Sequence, residues 1–196
     1  GHSHYPVNDP RSCSQYFFTS FGCGTLSYVE LEDGMSYGSV PPGAEATAQF
    51  YIVEVYADNA VAVLPFNIMT GEFFTVPSSY SEQQLIYYVT NPSDRSGFSY
   101  TNARYKTADA PVWPQGAQAA VGNFNAGRAT VSFPQALDGE EIHHYTLVLK
   151  KGGRTVGTYR FFSGFYFEPM PPTVSWTLEN LEPGTGYSIE ITGFDT

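Results

Sequence analysis

Residues 178–195 read LENLEPGTGYSIEITGFD, a Pro-Gly turn signal followed by the strand GYSIEITGF. Working outward toward the N-terminus, the same design repeats as AQAAVGNF, RATVSF, HHYTLVLKK, RTVGTYRFF and TVSWTLENL. Turn formers divide these runs at the spacing of a β-sandwich. The stretch KKGGRT, residues 150–155, reads as a Gly-Gly hairpin turn between two of them. Within the runs apolar residues alternate: Val131 with Phe133, then Tyr145, Leu147 and Leu149, then Trp176 and Leu178. Each strand therefore has one face suited to burial.

The whole composition agrees. Of 196 residues, 42% are hydrophobic and 14% charged, with 15 Tyr and 15 Phe, so the apolar content is aromatic and β-branched. Nineteen Gly and fourteen Pro fall between the hydrophobic runs, as the turns of a many-stranded protein do. The length allows two small domains, each with a core. A net charge of -10 with only nine Lys and Arg argues against a nucleic-acid partner, which needs clustered cations. No run approaches the roughly 20 apolar residues of a membrane-spanning helix. The opening GHSHYPVNDP has neither the basic start nor the apolar stretch of a signal peptide, so if the protein is exported its signal is expected outside this chain.

In the N-terminal third, residues 50–66 (FYIVEVYADNAVAVLPF) read as a hairpin of YIVEV and AVAVLPF, with Asp58 and Asn59 in the turn. The preceding GTLSYVELE, residues 24–32, is its expected partner strand, and the Gly- and Pro-rich segment between them an ordered loop. Residues 76–110 read as a linker, with SYSEQQLIYYV as a short helix started by side-chain capping. The prolines of ADAPVWPQGAQ, residues 108–118, place a domain boundary there. The expected architecture is all-β: a small N-terminal set of antiparallel strands in residues 1–75, then a sandwich in 111–196. Cys13 and Cys23 bracket SCSQYFFTSFGC. Two readings stay open for them: a disulfide across antiparallel neighbours, suited to an oxidising compartment, or two buried free thiols.

The stretch 178–195 closely resembles the end of a fibronectin type III domain, an immunoglobulin-like sandwich. Leu181, Pro183 and Tyr187 occupy the Leu-x-Pro-x-x-x-Tyr positions of that family's tyrosine corner, where the buried Tyr hydroxyl bonds nearby backbone. Phe133 stands where the family commonly has a core Trp. The chain stops just after the strand that corresponds to F, so the resemblance implies a sandwich lacking its last strand. A substitute strand or a protein contact is expected at the exposed sheet edge.

The opening GHSHYPVNDPRS resembles the last metal-binding motif of calcineurin-like metallophosphoesterases, with strands like their closing strands over roughly residues 1–75. The resemblance implies that His2 and His4 are ligands to two divalent metal ions that clamp phosphoryl oxygens and activate water. The expected location is periplasmic, cell-surface or extracellular. The family's Asp-x-His, Gly-Asp and Gly-Asn-His segments do not occur here. The chain alone is therefore expected to hold no metal cofactor and to be non-catalytic. Its expected role is that of an accessory region, with the missing catalytic domain or another protein's strand as partner.

Other candidates weigh less. The run RFFSGFYFEPMPP, residues 160–172, places Phe161, Phe162, Phe165, Tyr166 and Phe167 close together, as glycan-binding sandwiches do with exposed rings. Core packing is the competing account, and a free-standing carbohydrate- or protein-binding module is the alternative function. His143 and His144 follow Glu140 and Glu141, but adjacent strand residues point to opposite faces, so a solvated strand start is expected rather than a metal cluster. A Gly-x-Ser-x-Gly elbow is absent, and neither cysteine has an identifiable base.

Overall fold

A computed structural model describes residues 4–6, 12–15, 19–57, 61–73, 87–89, 110–138, 142–167 and 170–195. The described backbone is all-β, and every strand pair is antiparallel. The chain divides into two compact units. One comprises residues 1–33, 37–108 and 166–170, the other residues 34–36, 109–165 and 171–196.

In the first unit the alternating apolar residues of 50–66 form the expected hairpin, β3 (Gln49–Val55) with β4 (Val61–Asn67), from Gln49 opposite Asn67 to Val55 opposite Val61. The other edge of β4 is shared by two short strands. At one end β5 (Glu72–Phe73) pairs with Phe66 and Asn67, and at the other β6 (Tyr87–Val89) pairs with residues 61–63. Asn67 ends β4 chemically, because its side-chain oxygen accepts the backbone amide of Met69 at 2.9 Å. Gln49, buried at the start of β3, donates its amide to the Thr47 carbonyl at 2.9 Å. The segment 33–48 is an ordered loop holding one 3-10 turn, Ala44–Ala46.

Three expectations for this unit are corrected. Residues 24–32 are not a strand: Thr25, Glu30 and Leu31 bond backbone of Gln49, His4 and Ser39, three separate segments, so no ladder forms although Val29 and Leu31 alternate inward. The short helix expected over 79–89 ends instead in strand β6, in keeping with the β preference of Tyr-Tyr-Val; its earlier part lies outside the described residues. The cysteine-bearing segment does form an antiparallel pair, β1 (Cys13–Gln15) with β2 (Thr19–Phe21), but Cys13 lies opposite Phe21. Cys23 falls two residues past that register and is an exposed free thiol, not half of a disulfide.

The second unit is a sandwich of two three-stranded sheets. One has the order β11 (Thr173–Leu178), β8 (Arg128–Pro134), β7 (Ala120–Asn125). The other has the order β10 (Arg154–Phe162), β9 (His144–Lys151), β12 (Tyr187–Phe194). The alternation read from the sequence is the inner face. Ala129, Val131 and Phe133 of β8 are buried, as are Tyr145, Leu147 and Leu149 of β9 and Val174 and Leu178 of β11. Rings lock the sheets together: Phe133 meets Tyr145 edge-on at 5.0 Å, and Phe161 stacks on Trp176 at 4.7 Å with the planes 7° apart. The Gly152-Gly153 turn joins β9 to β10, both residues with the positive φ of a type I′ hairpin.

Tyr145 organises one end of this core. Its hydroxyl donates to Gln135 Oε1 at 2.7 Å and accepts the Ala136 amide at 2.8 Å. The Gln135 amide in turn donates to the carbonyls of Ser163 and Pro171 at 2.7 and 2.9 Å. Burial pushes the Tyr145 hydroxyl up to about 12, against the smaller opposing effect of the Ala136 amide. The unfolded chain gives up this proton near 10.0, before the folded one does. Stability from Tyr145 is thus intact below pH 10 and is lost as pH rises through about 12. Urea midpoints read by Trp fluorescence between pH 9 and 12 should therefore fall less steeply in Tyr145→Phe; equal slopes would contradict this.

Candidate functional site

The described residues singled out by sequence are divided between the two units. His2 lies outside the described residues. His4 is half-buried with its ring edge-on to Tyr28 at 4.8 Å, and its carbonyl accepts the Glu30 amide at 3.1 Å. Its Nδ1 is buried and has no hydrogen-bond partner, which is unusual for a polar atom in a folded interior. Among the described residues no group of three or more His, Cys, Asp and Glu is placed to hold a metal ion.

The aromatic run serves packing. Phe161, Phe162, Phe165 and Tyr166 are all buried, so they present no ring face to a glycan. Phe161 sits between Phe133 and Trp176, and Phe165 packs on Phe162 and His143. Tyr166 and Phe167, in the first unit, pack on each other at 4.6 Å. Burial also raises the Tyr166 hydroxyl well above the ordinary tyrosine range.

The two histidines depart from the expected solvated strand start. His143 is 6% exposed against Phe162 and Phe165, and His144 lies flat on Phe194 with centroids 4.8 Å apart. Their Nδ1 atoms are 3.1 Å apart, and Arg160 Nη2 is 3.0 Å from His144 Nε2. An arginine always donates, so His144 Nε2 accepts, and its Nδ1 carries the proton given to His143. That arrangement fixes both tautomers and leaves neither Nδ1 for a metal. Opposite faces do not separate the rings because His143 precedes the regular strand.

At the C-terminal corner, the Tyr187 hydroxyl accepts the Glu182 amide at 3.0 Å, while half-buried Leu181 donates its amide to the Gly127 carbonyl at 2.7 Å. Pro183 is exposed in the turn between them. Lys151 pairs with Glu182 on the surface, which lowers the carboxyl and raises the amine.

Sequence reasoning missed one feature of this unit. Between the two sheets opens a groove of about 230 Å³, with Trp113, Ala117, Ala119, Phe133, Ile189 and Ile191 in its walls. Trp113 in its wall is stacked at 5.9 Å on Tyr145. The signal was present as VWP, but two prolines made the segment read as a domain boundary. No family model, curated protein or solved structure matches the chain.

Proposed function

We propose that this chain is the non-catalytic C-terminal accessory region of an exported metallophosphoesterase, its second unit a fibronectin type III-like sandwich that packs on or tethers a catalytic domain. The observation that carries the proposal is the uncovered apolar surface of the first unit. Val53 and Val55, on one face of β3, are 48% and 72% exposed, and Leu26, Met69 and Phe73 are exposed as well. Val53 and Val55 stand two residues apart on one strand face, and neighbouring exposed apolar side chains support a surface that another element covers.

His4 supports the reading from the other side. An orphaned, buried Nδ1 fits a ligand atom whose ion arrives with further ligands. His2 and His4 would hold the ions together with carboxylates and an Asn-His pair from segments this sequence lacks. When bound, such ions polarise phosphoryl oxygen and lower the pKa of water. This chain's own contribution is to fix the His4 ring against Tyr28 and to hold its backbone through Glu30. In the second unit, the Tyr187 to Glu182 bond and the strand order support the fibronectin-like reading. The glycan-binding alternative loses its surface with the burial of Phe161, Phe162, Phe165 and Tyr166.

The isolated chain should not hydrolyse para-nitrophenyl phosphate with Mn²⁺ or Zn²⁺; metal-dependent turnover would overturn the reading. The double substitution Val53→Thr and Val55→Thr should cut binding of a hydrophobic-surface dye by more than half with little loss of stability. An unchanged dye signal would show that this face is not the uncovered one.

A further inference from the structure

We propose that two exchanged loop tips make the two units one cooperative block, so that opening the first unit also opens the sandwich. Two domains strung in tandem need one chain crossing, and each keeps its own core and its own unfolding. Here the chain crosses after residues 33, 36, 108, 165 and 170. Residues 34–36 belong to the second unit although the chain on both sides of them belongs to the first, and residues 166–170 do the reverse.

The first tip leaves from a closed base. The Leu31 amide donates to the Ser39 carbonyl at 2.8 Å, and the Ser39 hydroxyl donates to Glu30 Oε1 at 3.1 Å, which holds residues 30, 31 and 39 together in the first unit. Residues 32–38 make the excursion, turning at Gly34 with φ +105. At its end Ser36 donates its amide to the Arg160 carbonyl at 2.8 Å, and its hydroxyl accepts the Arg160 amide at 2.9 Å. Both backbone groups of Arg160, on edge strand β10, thus find their partners in this tip. Met35 beside it is buried.

The second tip has a closed base of its own. The Gln135 side-chain amide donates to the carbonyls of Ser163 and Pro171 at 2.7 and 2.9 Å, and the Ser163 hydroxyl accepts the Phe165 amide at 3.2 Å. Phe165 packs on Phe162 and His143 in the second unit. The next residue, Tyr166, is buried and packs on Phe167 in the first. Gly43 receives the Phe167 ring: a Cβ there would lie 2.8 Å from Phe167 Cζ.

No linker residue stands between Asp33 and Gly34, Ser36 and Tyr37, or Phe165 and Tyr166, so neither unit can release its guest without straining the other. Burying one large apolar side chain raises a folding constant roughly 10- to 100-fold. Opening the first unit takes that gain from Tyr166 and Phe167. It also turns the closed base behind Met35 and Ser36 into free chain, whose ordering entropy then opposes their place on β10. The sandwich therefore loses an edge cover and a clamped corner together.

The test uses the full chain. Val63→Ala truncates a buried side chain of β4, in the first unit. Exchange protection should fall about tenfold or more in the β3-β4 ladder and, in parallel, at Leu147 and Val148 of central strand β9. The urea midpoint read by Trp113 and Trp176, both in the second unit, should fall with it. Gly71→Ala, at φ +71 with nothing within 4 Å of the added Cβ, is a milder variant that should lower both protections about fivefold. With Met35→Ala and Phe167→Ala shortening both tips, Val63→Ala should leave β9 protection within about twofold of its value in that background. Loss confined to the first unit in both Val63→Ala and Gly71→Ala would overturn the proposal. So would a β9 loss that persists undiminished once both tips are shortened. None of these readouts depends on metal or on phosphoester hydrolysis, so they stand or fall apart from the accessory-region reading.

Discussion

Tyr145→Ala is expected to cost the second unit about 3–5 kcal/mol, enough to leave a small sandwich largely unfolded. The ring is fully buried and touches Phe133, Phe161 and Trp113, so its removal opens a cavity where the two sheets meet. It also strands the Ala136 amide and the Gln135 side chain, which ties residues 163 and 171 to the same corner. Tyr145→Phe separates these contributions. The ring stays, and the loss should be about 1–3 kcal/mol for an unsatisfied buried amide. Both tryptophans of the chain, Trp113 and Trp176, lie in the second unit, so urea unfolding followed by their fluorescence reads this unit alone. A Phe variant as unstable as the Ala variant would mean that the hydroxyl network, not the packing, holds the corner.

Gly127→Ala should cost about 2–4 kcal/mol, the second large effect. Gly127 closes the β7-β8 turn at φ +78, where a side chain is strained, and a Cβ there would lie 2.9 Å from the Leu181 carbonyl oxygen. Neither backbone can yield easily, because the Leu181 amide is bonded to the Gly127 carbonyl at 2.7 Å. Gly184 makes the matching control: its φ is +69, but a Cβ added there would meet nothing within 4 Å. Gly184→Ala should therefore cost only about 1 kcal/mol, the backbone strain alone. Equal midpoints for the two variants would show that the turn does not press on residue 181.

The second unit was legible in sequence because β8, β9 and β11 each bury one face, and burial on one face writes itself as alternation. Val131 with Phe133 and the Tyr145, Leu147, Leu149 series fall where the pattern puts them. The hairpin of β3 and β4 was legible from its run of β-branched and aromatic residues, although Val53 and Val55 of β3 are exposed. Residues 24–32 misled because Val29 and Leu31 also alternate inward, yet their backbone partners come from separate segments, a matter of tertiary placement that local pattern does not carry. Cys13 and Cys23 misled through register, since a two-residue offset separates a disulfide from a free thiol. A bond from Tyr187 to nearby backbone was readable because its partner, Glu182, lies five residues away. The groove was not, since its walls come from residues as far apart as Trp113 and Ile191. The histidine pair was hidden likewise: His143 packs on Phe162 of β10 and His144 on Phe194 of β12, and nothing near His143 in sequence announces them.

The central claim is that this chain completes an enzyme rather than being one. The most direct measurement is to read the coding sequence upstream of Gly1 and assay phosphate-ester hydrolysis by the longer product beside its His4→Ala variant. The account predicts Asp-x-His, Gly-Asp and Gly-Asn-His segments upstream, metal-dependent turnover by the longer product, and at least a tenfold loss in the variant. An upstream sequence without those segments, or turnover that ignores His4, would contradict it.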